Sequence, residues 1–162
     1  HTLLNEYPEF GGNYEVIHHS QLIDELIENG RLMIEPGTNQ SLAFHDPCYL
    51  GRQNDILDEP RRVLTRTQNN LIELSRNGRK SFCCGAGGAQ MWKEEAEGNT
   101  RVSAERFKEA QEANADILAV GCPFCMVMLN DAKNETESNL EILDIAEIVV
   151  NSQGKSSSGN NH

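Results

Sequence analysis

The five cysteines of this chain fall into three widely separated groups: Cys48 alone, the doublet Cys83-Cys84, and Cys122-Pro-Phe-Cys125. Thirty-four residues separate the first two groups and thirty-seven the last two. An odd number cannot pair completely within one chain, and adjacent cysteines are poorly placed to bridge each other. A secreted disulfide scaffold is shorter and denser in cysteine. Metal ligation, redox chemistry and buried thiols remain, and a reducing, cytoplasmic compartment is expected.

Each group has a physical use at a metal. A two-residue spacer lets Cys122 and Cys125 face one centre, and Cys125 falls in a first helical turn, where free N–H groups favour a thiolate. Adjacent side chains normally diverge, so Cys83 and Cys84 share a centre only if the chain bends sharply. Gly85, Gly87 and Gly88 permit that bend and a close backbone approach. Other readings compete. Cys122-x-x-Cys125 alone fits a dithiol redox site, which leaves three cysteines unexplained. Buried structural thiols fit scattered singletons better than Cys-Cys-Gly. Structural zinc takes four ligands, usually as two close pairs, whereas here the first ligand is single and there is a fifth. A sulfide-bridged iron centre accommodates more thiolates over a larger volume. The glycine run lacks the Lys-Ser/Thr of a phosphate loop and the spacing of a dinucleotide fingerprint, so nucleotide binding is discounted.

Between the cysteines, short apolar runs alternate with helical patterns. Tyr14–His18, Ser41–His45, Leu71–Leu74, Ile117–Val120 and Leu140–Leu143 read as extended. Helical spacing appears after Leu22 and stops at Gly30, then recurs over Pro60–Thr67, Asn99–Asn114, Phe124–Ala132 and Ile145–Val150. In the long helix Asn99 or Thr100 is the expected cap, with Val102, Phe107 and Ala110 facing inward. The fold class expected is α/β, a mostly parallel sheet with helices on both faces. Cys48 and Cys122 then follow strand ends, at the C-terminal edge where such sheets bind ligands. The polar stretch from Asn151 to His162 reads as a disordered tail.

The net charge of −11 excludes sequence-independent nucleic-acid binding. It is unevenly spread: residues 1–40 carry −6, residues 41–93 carry +3 and residues 94–162 carry −8. Arg61, Arg62 and Arg66 are expected on a solvated helix face. Alternatively, bases near the cysteines offset an anionic metal–thiolate centre, and Arg52, four residues after Cys48, is best placed for this. His45 lies three residues before Cys48. It reads either as a strand-end histidine bonded to backbone or as a proton donor or partner to the centre. His18 and His19 have no partner legible in the sequence. Met91-Trp92 fits a cluster shield and core packing equally.

Three segments carry a resemblance: His45–Arg52 (HDPCYLGR), Phe82–Trp92 (FCCGAGGAQMW) and Gly121–Leu129 (GCPFCMVML). Together they resemble the cysteine-rich "CCG" domain found in heterodisulfide reductase and in the iron–sulfur subunits of glycolate, lactate and anaerobic glycerol-3-phosphate oxidoreductases. Met91-Trp92 and the Asp58–Arg62 run bring the chain nearest to membrane-bound iron–sulfur oxidoreductases linking electron-transfer flavoprotein to quinone. The resemblance covers about Tyr14 to Val150, residues 14–150. Residues 1–13 resemble the end of a preceding repeat or a linker, so the chain reads as a fragment, inactive alone. The family implies that Cys48, Cys83, Cys84, Cys122 and Cys125 ligate a [4Fe–4S] cluster, which is non-cubane in heterodisulfide reductase. Gly85, Gly87, Gly88, His45 and Arg52 are expected around it, with glycine N–H groups donating to cluster sulfurs. The implied partners are upstream iron–sulfur and membrane domains and electron-transfer flavoprotein or another redox protein, at the cytoplasmic face of a membrane. The implied function is electron relay toward quinone. Disulfide reduction at the cluster, or a cluster-free dithiol or zinc domain, stands as the alternative.

Overall fold

The computed structural model describes residues 1–35, 40–67, 70–94 and 98–153. Four short strands form one parallel sheet in the order β2-β1-β3-β4: β1 (Ser41–Phe44), β2 (Asn70–Ile72), β3 (Ile117–Val120) and β4 (Glu141–Asp144). The central pair is set by Leu42 opposite Ile117 and Phe44 opposite Ala119. All of β3 is buried, as a strand covered on both faces must be.

Among the described residues six α-helices accompany the strands: α1 (Thr2–Asn5), α2 (His19–Glu28), α3 (Asp58–Arg66), α4 (Val102–Glu112), α5 (Pro123–Asn134) and α6 (Ile145–Asn151). The two-residue period of the strands splits the core cleanly. Leu42, Phe44, Ile117 and Ala119 point to one side, where they meet Val63 and Leu64 of α3 and Ile145, Ile148 and Val149 of α6. Ala43, Leu118 and Val120 point to the other side, against Phe107 and Ala110 of α4 and Leu129 of α5. The chain leaves β1 toward α3 on the first side and leaves β3 toward α5 on the second. The C-terminal ends of β1 and β3 therefore flank the topological switch point, where a parallel sheet opens a crevice. Local chemistry fixes the helix starts. Asp144 caps α6 by accepting from the Ala146 N–H at 2.8 Å, while Glu147 accepts from the Asp144 N–H at 2.8 Å.

Several expectations need correction. Tyr14–His18 forms no strand: Tyr14 and Ile17 are exposed, and His18 is used to cap α2, its side chain accepting from the Ser20 N–H. The sheet therefore has four strands among the described residues. Arg101, not Asn99 or Thr100, precedes the first turn of α4, and Val102 is exposed. Phe107 and Ala110 face inward as expected, and Ser103 and Arg106 join them in place of Val102. The expected tail does not hold at its first residues: Asn151 closes α6, and Ser152 is buried, its carbonyl accepting from the Glu35 N–H at 2.9 Å. The rest of the expected tail, residues 154–162, lies outside the described residues. No helix among the described residues is long and apolar enough to cross a membrane.

Candidate metal centre

The cysteines reach one place from three directions. Cys48 lies four residues beyond β1 and leads into a single π-helical turn, Tyr49–Gln53. Cys122 follows β3 by two residues in extended conformation, and Pro123 starts α5, so that Cys125 occupies the first helical turn. Cys83 and Cys84 arrive on the loop after β2. The bend behind them is made at Gly85, whose φ of +97° suits glycine; a Cβ there would also lie 3.3 Å from the Met128 methyl. A cavity of about 500 Å³ results, lined by Cys48, Cys84, Cys122 and Cys125, with Trp92 and Phe124 among its walls. Trp92 is 76% exposed and forms a rim, not a seal. Met91 packs against the α4–α5 core.

All five cysteines are free thiols, with Cys84 and Cys125 buried and the other three partly so. Four influence one another's protonation in series, Cys122 with Cys125, Cys125 with Cys84, and Cys84 with Cys83. Negative charge collects on Cys84. Bonds from Cys125 and Cys83, then from His45 and the Ala86 N–H, hold its thiol far below the ordinary range despite burial. The Cys125 thiol is driven up by donating toward Cys122 and Cys84 and by burial, and Cys83 rises through its bond to Cys84. The bond from Cys125, aided by the Cys125 and Phe124 N–H groups, holds Cys122 at about 6. Cys48 lines the same cavity outside this series.

The glycine backbone lies against the Cys83 sulfur. The Gly85 N–H donates to the Cys83 sulfur at 3.3 Å, and the Gly87 N–H also bonds that sulfur. Gly88 lines the cavity. His45 is buried, continuing the β1 alternation onto the α4 side, and its imidazole bonds Cys84. Its backbone N–H goes to the Ala119 carbonyl, but its ring does not serve the backbone. One ligand-capable atom each from His45, Cys84 and Cys125 falls within 4.8 Å of the others.

Arg52 is turned elsewhere. Its Nε and Nη2 donate to the Arg79 and Ser81 carbonyls at 3.1 and 2.6 Å, so it clamps the loop leading to Cys83. The solvated arginine face is also corrected. Arg62 is exposed as expected, but all three arginines are paired: Arg61 joins the buried Asp46 to the exposed Glu73, and Arg62 and Arg66 converge on the buried Asp24. Asp46 in turn accepts from the Gly78 N–H at 2.7 Å, tying α3 to the doublet's loop. His18, unassigned in the sequence, donates through Nε2 to the Gly121 carbonyl at 3.1 Å, since its Nδ1 already accepts from the Ser20 N–H. It thereby pins α2 to the turn that carries Cys122.

Sequence reasoning missed Arg106 and Glu109. Arg106 has no exposed side-chain surface, and its Nε–H donates to His45 Nδ1 at 2.9 Å. Its Nη1 donates to Glu109 at 2.8 Å and to the Arg76 carbonyl at 3.0 Å. Burial would raise the Glu109 carboxyl, but bonds from Ser75, the Arg76 N–H and Arg106 outweigh it and lower the group to about 2. The signal available was the i, i+3, i+4, i+7 row of Ser103, Arg106, Phe107 and Ala110, which shares Phe107 and Ala110 with the face expected and has Ser103 in place of Val102.

A fold that gathers thiols at the switch-point edge of a small parallel sheet defines a class of cysteine-rich domain. Residues 42–130 match the family model described as "Cysteine-rich domain" (CCG), and the chain belongs to that family. It is 39% identical over 151 residues to "Probable iron-sulfur-binding oxidoreductase FadF" of Bacillus subtilis, covering 91% of this chain and 21% of that protein. It is 36% identical over 156 residues to "EtfAB:quinone oxidoreductase" of Syntrophomonas wolfei, covering 91% and 22%. It is likewise 36% identical over 149 residues to one polypeptide of the dihydromethanophenazine:CoB--CoM heterodisulfide reductase of Methanosarcina barkeri, covering 90% and 36%. The chain thus spans about a fifth of the first two relatives and about a third of the last.

Proposed function

We propose that this chain is an iron–sulfur electron-transfer domain of an oxidoreductase, relaying electrons from a flavoprotein toward a quinone. The observation that carries the reading is the convergence of thiols from three distant segments on one cavity, without a disulfide. The donor set fits the group. Soft thiolates select iron–sulfur chemistry, and five exceed what tetrahedral zinc takes. Cys48, Cys83, Cys84, Cys122 and Cys125 are the proposed ligands of a [4Fe–4S] cluster, cubane or non-cubane. Such a cluster supplies a site that gains and loses one electron at a time. The chain's own part is to hold the sulfurs, donate N–H groups to them from Gly85 and Gly87, and keep Cys84 and Cys125 from water. Hydrogen bonds to cluster sulfurs raise the potential by stabilising the more negative reduced state.

Residues 14–150 form the cysteine-rich unit in this reading, and residues 1–13 the end of a preceding repeat or linker. Other iron–sulfur and membrane-embedded parts of the same protein would complete the path at the cytoplasmic face of a membrane, because a quinone dissolves in the bilayer. The relation to the Syntrophomonas quinone oxidoreductase supports flavoprotein and quinone as partners. A second reading, disulfide reduction at the same centre, is favoured by the cavity beside Cys84 and Cys125 and by the relation to the Methanosarcina heterodisulfide reductase.

The test is to purify the protein without oxygen and assay iron, acid-labile sulfide and zinc per chain alongside visible absorption. Iron and sulfide in equal amounts, with an absorption band bleached by dithionite, are expected. Stoichiometric zinc without sulfide would overturn the reading. Reoxidation of the reduced centre by a small disulfide, but not by a quinone analogue, would transfer the case to disulfide reduction.

A further inference from the structure

A fully buried arginine that aims one donor at an imidazole determines what that imidazole can do. Guanidinium nitrogens only donate, so His45 Nδ1, 2.9 Å from Arg106 Nε, must present its lone pair. The proton of the neutral ring then sits on Nε2. A ring nitrogen of His45 lies within 4.8 Å of the Cys84 sulfur, and with Nδ1 taken by Arg106 the nitrogen left to face that sulfur is Nε2. The ring nitrogen nearest the sulfurs therefore carries hydrogen, not a free lone pair.

We infer that Arg106 is a positioning residue that locks His45 in the Nε2–H tautomer, making it a hydrogen-bond donor to the Cys84 sulfur and barring it from metal ligation. His45, Cys84 and Cys125 sit close enough to be mistaken for a His-Cys-Cys metal site. Ligation through Nε2 would remove the Nε2 proton and, with Arg106 on Nδ1, leave an imidazolate. The arginine has little freedom to release the ring. Its other donors are committed to Glu109, to the Arg76 carbonyl and, at 3.3 Å, to the Ser81 hydroxyl. That hydroxyl donates in turn to the Asp46 carbonyl at 3.0 Å, two residues before Cys48. Arg106 thus braces the β1 end and the doublet's loop as well as the ring. In metal sites the group behind a histidine commonly accepts from it and strengthens it as a ligand. Here the group behind it donates, which gives the opposite result.

The consequence for potential rests on the iron–sulfur reading, whereas the tautomer does not. Long-range ¹H–¹⁵N spectra of the reduced, metal-free protein with labelled histidine read the tautomer directly. The expected pattern for His45 is an unprotonated Nδ1 and a protonated Nε2. Arg106→Lys, which keeps the charge but not the Nε–H, should give a mixture of tautomers. A wild-type ring protonated on Nδ1 would overturn the inference, whether or not that variant folds. In protein loaded with iron and sulfide, His45→Leu should lower the midpoint potential. His45→Gln, whose amide N–H can replace Nε2–H, should restore it most of the way. Equal shifts in the two variants would contradict the donor role. If neither iron nor sulfide loads, the iron–sulfur reading fails and the tautomer measurement still decides the inference.

Discussion

The two faces of this small sheet do different work with the same strands. Toward α3 and α6, β1 and β3 bury Leu42, Phe44, Ile117 and Ala119 among aliphatic side chains, and the buried carboxylates on that side, Asp46 and Asp24, are met by α3 arginines that keep part of their surface in solvent. Toward α4 and α5 the same strands bury Ala43, Leu118 and Val120, but Cys84, Cys125, His45, Arg106 and Glu109 are buried there too. The first face supplies hydrophobic stability. The second gives part of its core to sulfur and charge, groups that are costly to bury unless every one has a partner. The lesson is that the site is an extension of one half of the core, in which Glu109, Arg106 and His45 are linked in series toward Cys84, while the Ser103 hydroxyl beside them is buried without a partner.

That contrast can be broken by substitution. The largest effect is expected for Cys84→Ser, which removes the sulfur shared by Cys83, Cys125 and His45. Bound iron and sulfide should be lost while circular dichroism retains the fold; unchanged iron content would remove the doublet from the centre. On the opposite face, Leu64→Ala should destabilise the protein by about 3 kcal/mol in urea unfolding. Iron per folded chain should be unchanged, so loss of iron here would show that the faces are not separable.

Glu109→Gln sharpens the comparison through acid. The folded carboxyl is lowered from the ordinary 4.5 to about 2, so between those values the unfolded chain binds the proton and the folded chain does not. Its stabilising contribution is therefore intact above about pH 4.5, declines as pH falls, and is gone below about pH 2. The variant should cost about 2 kcal/mol at pH 7. Its deficit relative to wild type should shrink as pH falls from 4.5 toward 2, in parallel denaturation series; a constant deficit would place the carboxylate outside the network. The smallest effect belongs to Lys108→Ala. Lys108 lies on the outer side of α4 in an exposed pair with Glu112, and its loss should change stability by less than about 0.5 kcal/mol.

The sequence exposed the parts of this architecture that follow from periodicity and spacing. Ile117–Val120 is short, apolar and stopped by Gly121, and it is the buried strand β3. The placement of Cys48 and Cys122 after strand ends followed from the same pattern. Tyr14–His18 looked extended because its composition suits a strand, but the destination of its backbone hydrogen bonds is a tertiary matter. The polar half of the site was hidden for a different reason. An inward Arg106 or Glu109 is indistinguishable by composition from a solvated ion, and helix α4 has charges around most of its circumference. Asp46 and Arg61 were obscured likewise, because their pairing links a strand end to a helix fifteen residues later.

The central claim is that five thiols answer to one centre. Differential alkylation with mass spectrometry, before and after anaerobic loading with iron and sulfide, tests it most directly. The account predicts that Cys48, Cys83, Cys84, Cys122 and Cys125 become protected together, in one all-or-none population. Protection of Cys122 and Cys125 in molecules whose Cys83 and Cys84 still react fully would contradict it.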